Sequence, residues 1–254
     1  MLAFSSLLGN VEGQNIYRIW YDKPASYWEE ALPVGNGRIA AMVFGDPQLE
    51  QIQLNEETVS AGSPYQNYNE EAKTALPEMR RLIFEGKYEE AQNMAATKIL
   101  SQVGNEMPYQ TVGRLNIRYQ DHKKVNNYYR DLDISKAVAV TRYAVDGVEF
   151  TEETFASFTD QLVIRHIKAS KPGTINCELF FNTPMRDPKR SIYGKKGLRL
   201  EGITHGSRYF PGKVHYCADL DVKHKGGKVI TVNDTLLSVQ GASELTLYIL
   251  MATN

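Results

Sequence analysis

The chain has 254 residues, of which 42% are hydrophobic, and a net charge of −1 from 29 basic and 30 acidic side chains. A chain of this length can bury a core without disulfides or metals, and its balanced charge supplies no field to recruit a polyanion, which excludes nucleic acid as an expected partner. Two cysteines without CxxC spacing exclude a disulfide scaffold and a zinc ribbon, and no run approaches the ~20 apolar residues of a membrane span.

Residues 1–14 read as the remnant of a secretory signal peptide or as a disordered tail. Residues 2–8 are apolar and small, and the polar run Gly9-Asn10-Val11-Glu12-Gly13-Gln14 follows. The signal-peptide reading implies export, to the periplasm or the outside of a bacterial cell. The fold then begins at residue 15. From Ile16 to Gly62 the pattern is short strands and loops rich in Gly, Pro and Asn.

Residues 69–100 read as a helical insertion. Asn69 is the expected N-cap, Glu70 and Glu71 suit the positive end of the helix dipole, and Pro77 is expected to kink the helix or start a new turn. Gly86 is the natural stop. Tyr88, Ala91, Ala95 and Ile99 recur at spacings of three, four and four, so a second helix should dock by that stripe, burying Tyr88 and Ile99 and leaving Glu89 and Glu90 exposed.

The remainder alternates like strand. Ala139, Thr141, Tyr143 and Val145 point to one side, and Asp146-Gly147 signals a type I′ hairpin turn. Another strand spans residues 161–168, and Lys171-Pro172-Gly173 suits a type II turn. Two runs line one face at period two: Ile175, Cys177, Leu179 and Phe181, and Val214, Tyr216, Ala218, Leu220 and Val222. Gly226-Gly227 turns the chain again. The final strand, 245–251, is apolar on both faces and wants cover on both sides. Many antiparallel strands separated by turn signals predict a large two-sheet β-sandwich carrying a small helical hairpin.

Chemistry-bearing residues are scattered. Asp22, Glu29, Glu30, Glu56, Glu57, Asp131, Asp133 and Asp160 supply carboxylates, but spacing pairs none of them for acid–base work on a glycosidic bond. No catalytic residue is assigned. The histidines, at 122, 166, 205, 215 and 224, lack HxH or HExxH spacing, so no metal site and no cofactor is expected. Residues 223–228 form a basic cluster that reads as a solvated hairpin tip. Cys177 and Cys217 read as two buried thiols on strands, with a bridge between them left open. Tyr17, Trp20, Tyr21, Tyr27 and Trp28 crowd the start, where core packing and stacking on sugar rings are the competing readings.

The residues 19–25 (Ile-Trp-Tyr-Asp-Lys-Pro-Ala), the run 28–38 (Trp-Glu-Glu-Ala-Leu-Pro-Val-Gly-Asn-Gly-Arg) and Ala41-Met42-Val43-Phe44-Gly45 together resemble the start of glycoside hydrolase family 95, which comprises α-L-fucosidases and some α-L-galactosidases. The series continues with Ile52-Gln53-Leu54-Asn55-Glu56-Glu57-Thr58, Gly62-Ser63-Pro64, Leu76-Pro77-Glu78, Tyr109-Gln110, residues 129–133 and Phe155-Ala156-Ser157. The chain departs from the pattern at Ser60, where the family usually has Trp, at Ala40, where Gly is common, and after Tyr109-Gln110.

The resemblance implies an N-terminal β-sandwich domain that packs on a later (α/α)6 barrel. In the family that barrel holds the proton donor and the water-activating groups, and hydrolysis inverts the anomeric centre. The partners implied are the barrel of the same parent chain and a fucosylated glycan. Asn36, Arg38, Asn55 and Glu56 lie in loops and carry two readings: barrel-facing or substrate-rim residues, or ordinary turn and interdomain packing. The segments 33–38 and 55–64 are expected to border the barrel. The alternative functions are a stand-alone carbohydrate-binding module and a structural interaction domain.

Overall fold

The computed structural model describes residues 17–62, 66–101, 108–206 and 211–254. The segment 1–14 and residues 63–64 of the second loop therefore lie outside the described residues. In chain order come β1 (Arg18–Tyr21), a 3-10 turn (Trp28–Glu30), β2 (Leu32–Gly35), β3 (Ile39–Val43) and β4 (Leu49–Glu56). Helices α1 (Ala72–Phe84) and α2 (Tyr88–Met94) follow, the latter running into a π turn (Ala95–Ile99). The strands resume with β5 (Gly113–Tyr119), β6 (Val125–Asp133), β7 (Val138–Val145), β8 (Val148–Ser157), β9 (Leu162–Ala169) and β10 (Ile175–Asn182). Last come β11 (Lys189–Tyr193), β12 (Gly197–Ile203), β13 (His215–Lys225), β14 (Lys228–Asn233), β15 (Leu236–Ala242) and β16 (Glu244–Thr253).

The strands form two antiparallel sheets that enclose one core. The nine-stranded sheet has the order β1-β6-β7-β8-β9-β16-β13-β12-β11, and the seven-stranded sheet β14-β15-β10-β5-β4-β3-β2. Period-two alternation places Ile52 and Leu54 of β4, Leu115 and Ile117 of β5, and Val163 and Ile167 of β9 in the shared interior. Pro33 sits on edge strand β2, where its missing N–H leaves no ladder bond unmade on the open side. Asp146 and Gly147 both have positive φ (48° and 78°), the expected I′ turn between β7 and β8.

β16 is central, flanked by β9 and β13. Leu245, Leu247, Ile249 and Met251 fill the core. On its outer face, half-buried Tyr248 lies opposite Ile164, which in turn lies opposite Phe155, and Leu250 lies opposite Leu162. The expected cover is therefore complete on one side only, and an apolar band spans β8, β9 and β16 on the outside of the nine-stranded sheet, ending at Asp219 and Asp221 of β13.

The helical insertion departs from expectation in three ways. α1 runs unbroken through Pro77, so the proline starts no new turn. Little more than one turn precedes this proline, so it forfeits a single hydrogen bond, to the Lys73 carbonyl, rather than breaking the helix. Asn69 does not cap the helix directly. It stands outside the first turn, where Oδ1 accepts from the Glu71 N–H (3.0 Å) and its carbonyl accepts from the Ala72 N–H (3.0 Å). Finally, Tyr88 is 69% exposed and Ile99 only half-buried, although Glu89 and Glu90 are exposed as expected. The helices pack on each other through Ala75, Leu82 and Ala91, and among the described residues no helix makes more than marginal contact with a strand. A seam of small side chains closes the hairpin without enclosing Tyr88, the first residue of α2, and the π turn takes Ile99 out of phase with the stripe. Gly86 ends α1 as expected, at φ +74°, with the Lys87 N–H donating to the Leu82 carbonyl (2.9 Å).

Both cysteines are free. Cys177 is buried, but Cys217 is half-buried, because it alternates with the core residues Tyr216 and Ala218 and so points outward. Four of the five early aromatics also escape the core: Tyr17, Trp20, Tyr27 and Trp28 are exposed, and Tyr21 alone packs against it.

Candidate functional site

The four residues expected in loops gather at one end of β3 and β4, but only Asn36 and Arg38 lie in a turn: Asn55 and Glu56 are the last two residues of β4, paired with Ala40 and Ile39 of β3. Asn36, in the turn between β2 and β3, accepts the Arg38 and Ile39 N–H groups on Oδ1 (3.1 and 2.9 Å). Its Nδ2 donates across the sandwich to the Ser157 carbonyl (2.9 Å) and Gln161 Oε1 (3.3 Å). Arg38 pairs with buried Glu56 (3.4 Å), whose other oxygen accepts from the Thr58 N–H (2.8 Å) and hydroxyl (2.6 Å). Asn36, Arg38 and Glu56 are thus committed to turns and to stitching the sheets together. Asn55, opposite in phase to Glu56, points to the outer face of its sheet and lines a hollow.

That hollow, about 330 Å³, lies on the outer face of the seven-stranded sheet. Its floor is Ala40 and Met42 of β3 and Gln53 and Asn55 of β4; Trp28, Tyr109 and Thr111 complete it. Period two explains the floor: Ala40 and Met42 alternate with core residues Ile39, Ala41 and Val43, and Gln53 and Asn55 alternate with Ile52 and Leu54.

The Tyr109 wall is held at several points. The Ala61 N–H donates to the Pro108 carbonyl, the Gln110 N–H to Val59 (both 2.9 Å), and Thr111 Oγ1 to the Leu54 carbonyl (2.9 Å). Both ends of the Gln110 amide bond the His205 backbone (2.8 Å each). Asn55 Nδ2 donates to the Tyr109 hydroxyl, which donates onward to the Glu56 carbonyl (3.3 Å).

The opposite wall is Trp28, 51% exposed on its 3-10 turn. Buried Arg130 supports that turn, donating to the Lys23 carbonyl (2.8 Å) and the Glu30 carbonyl (2.7 Å) while its guanidinium lies 4.0 Å from the Tyr21 ring centroid. Gly45 (φ +75°) permits this packing: a Cβ there would meet the Tyr128 hydroxyl at 2.7 Å and Arg130 Cδ at 2.8 Å. A second hollow of about 270 Å³ shares Gln53 and Thr111 with the first and continues to Arg114, Asn182 and Pro184, so the two form one groove.

The most strongly perturbed ionisable groups lie elsewhere, between the sheets, and sequence reasoning passed over them. Arg165 of β9 is fully buried and pairs with Glu50 of β4 in the opposing sheet (3.0 Å) and with Glu152 of β8. Glu152 also accepts from the Tyr119 and Tyr143 hydroxyls (2.6 Å each), and Arg165 donates to Thr154 Oγ1 (2.6 Å). Burial pushes the Glu50 carboxyl up to about 7, only partly offset by Arg165. The signal was phase. Glu50 falls in step with Ile52 and Leu54, and Arg165 with Val163 and Ile167, so both had to point inward. Fully buried, this cluster clamps the two sheets together. Among the sequence-noted carboxylates, Asp131 and Asp133 are engaged by Arg18 (3.0 and 3.6 Å), and Asp160 accepts from the Ser157 hydroxyl (2.7 Å). Among the described residues no group of three or more His, Cys, Asp and Glu is arranged to hold a metal ion, and no helix is long and apolar enough to cross a membrane.

The chain is 31% identical to Alpha-L-fucosidase 2 of Arabidopsis thaliana over 96% of its own length and 31% of that protein's. It is 26% identical to "Probable alpha-fucosidase A" of Aspergillus niger, covering 60% of this chain and 20% of the relative. It is 25% identical to the protein of the same name from Aspergillus oryzae, covering 78% and 28%. The chain thus spans about a third or less of the length of these relatives. Residues 19–254 match the family model described as "Glycosyl hydrolase family 65, N-terminal domain". By that match, the chain belongs to the family of glycosyl hydrolase family 65 N-terminal domains.

Proposed function

We propose that this chain is the non-catalytic N-terminal β-sandwich domain of an α-L-fucosidase-like glycoside hydrolase of the family 95 type. In that setting it packs on an (α/α)6 barrel of the same parent chain and helps shape the barrel's sugar site. One observation carries the reading: nearly all of the chain aligns with about a third of a protein named an α-L-fucosidase. Two surfaces support it. The apolar band of Phe155, Ile164, Tyr248 and Leu250 is the kind of sheet face that a neighbouring domain covers. The hollow containing Asn55, Trp28 and Tyr109 offers the polar and aromatic groups of a sugar rim. Asn36, Arg38 and Glu56 then serve the rim indirectly, by holding the turns from which it rises. An exported, periplasmic or secreted, location belongs to the same reading.

The test compares two proteins. The full-length gene product should hydrolyse an aryl α-L-fucoside with inversion, followed by NMR of the released sugar, and this chain alone should show no turnover. A full-length product without fucosidase activity overturns the reading. So does turnover by this chain that survives purification and is lost on a point substitution within it.

A further inference from the structure

We propose that the groove on the outer face of the seven-stranded sheet is itself a binding site for a neutral saccharide, able to hold its ligand without a barrel. The proposal rests on the preceding reading only for which sugar is preferred.

Three features of the groove point to this ligand class. The first hollow has two exposed aromatic side chains, Trp28 and Tyr109, above a floor that is apolar at Ala40 and Met42 and amide at Gln53 and Asn55. Aromatic faces stack against the C–H faces of a pyranose ring, and an apolar floor suits the methyl group of a 6-deoxy sugar better than a hydroxymethyl. Among the described residues no charged side chain lines this hollow, which disfavours an anionic or cationic ligand. The second feature is the unspent polar groups. The Gln53 and Asn182 side-chain amides make no hydrogen bond within the described residues, although neighbouring Gln110, Thr111 and Asn55 are all engaged. An amide offers two donors and an acceptor, the complement of a vicinal diol. Gln53 stands where the two hollows meet, so a sugar in the first can be bonded on its edge and extended by a second residue toward Asn182.

The third feature is pre-organisation. The Tyr109 wall is fixed by the backbone bonds to Val59 and Ala61 and by Asn55, and the Trp28 turn by Arg130, so little ordering remains to oppose binding. Arg114, the single charged group among the described residues of the second hollow, is already engaged by Gln51 (2.6 Å) and lies 5.8 Å from the Phe44 ring centroid. The volumes, about 330 and 270 Å³, fit a mono- to disaccharide.

The experiment titrates the ¹⁵N-labelled chain with methyl α-L-fucopyranoside and, separately, with methyl α-D-glucopyranoside. The readouts are the Trp28 indole N–H and the Gln53 and Asn182 side-chain amide signals. The fucoside should move all three saturably, with millimolar affinity. Trp28→Ala and Gln53→Ala should each weaken binding about tenfold while leaving the melting temperature unchanged, and Trp28→Phe should restore most of it. Equal binding of the glucoside still supports a neutral-saccharide groove and removes only the fucose preference. No saturable shift with either sugar overturns the proposal, as does undiminished binding by well-folded Trp28→Ala. Fucosidase activity of the full-length product is a separate readout. Its absence overturns the preceding reading and leaves the titration to decide the groove.

Discussion

The sandwich interior and the helical excursion between β4 and β5 reach order by opposite routes. The interior joins residues far apart in sequence: Glu50 meets Arg165 and Tyr119 meets Glu152 across two sheets, inside a continuous core. The hairpin is almost wholly local. Three buried side chains, Ala75, Leu82 and Ala91, hold two short helices together, while Phe84 stands 88% exposed. Its surface ion pairs, such as Arg81 with Glu78 and Glu85, add little in water. The difference teaches where stability resides. Damage inside the sandwich should be global, and damage in the hairpin should stay within it.

The largest effect should come from Arg165→Met. Removing the cation leaves Glu50 and Glu152 buried without their partner, which costs about 3–5 kcal/mol in a case of this kind. Urea unfolding reads it directly, and a loss near zero would mean that the inter-sheet cluster contributes nothing. Leu179→Ala, at a fully buried position of β10, should cost about 2–5 kcal/mol and lower the single melting transition of the whole domain.

A pH series sharpens the same contrast. The folded-state pKa of Glu50 is raised to about 7 from an unfolded value of 4.5, so the folded state keeps a proton that the unfolded chain releases. Its contribution is fully present below the unfolded value and is lost as pH rises through 7. At about 1.4 kcal/mol per pKa unit, the change is of order 3 kcal/mol across that window. Glu50→Gln should abolish this slope, and parallel pH profiles for the two proteins would refute it.

The hairpin should respond more weakly. Leu82→Ala should strip hydrogen-exchange protection from α1 and α2 and leave the sandwich amides unchanged; global unfolding by this substitution would make the hairpin part of the core. Phe84→Ser should be the smallest change, within about 0.5 kcal/mol of zero by calorimetry, because the side chain is already in water.

How much was legible in the sequence depended on the range of the signal. The hairpin turns at Asp146-Gly147 and Gly226-Gly227, the helix stop at Gly86 and the inward set Ile175, Cys177, Leu179 and Phe181 were all readable, because φ preference and strand alternation act over a few residues. Tyr88 was misread: helical periodicity ranks the faces of a helix, but it cannot say how much surface a neighbour covers. The early aromatics were left between core packing and sugar stacking for the same reason, since apolarity alone does not bring a partner; only Tyr21 packs against the core. Glu50 and Arg165 were available from phase, but a charged residue in step with a core face reads as noise until its opposite charge is known to arrive from the other sheet.

The sequence by itself determined the sandwich class, the main turns, the place of the helical insertion and the kinship with glycoside hydrolases, because each rests on local pattern or on motif order. Only the tertiary structure placed Asn36, Arg38 and Glu56 in contacts with the turns and Asn55 in the lining of the groove. Asn55 and Glu56 are adjacent in sequence, yet strand alternation sends them to opposite faces, and strand order decides what each face meets. Trp28, Gln53 and Tyr109 converge through pairings between distant segments, and no local preference encodes which segments will be neighbours.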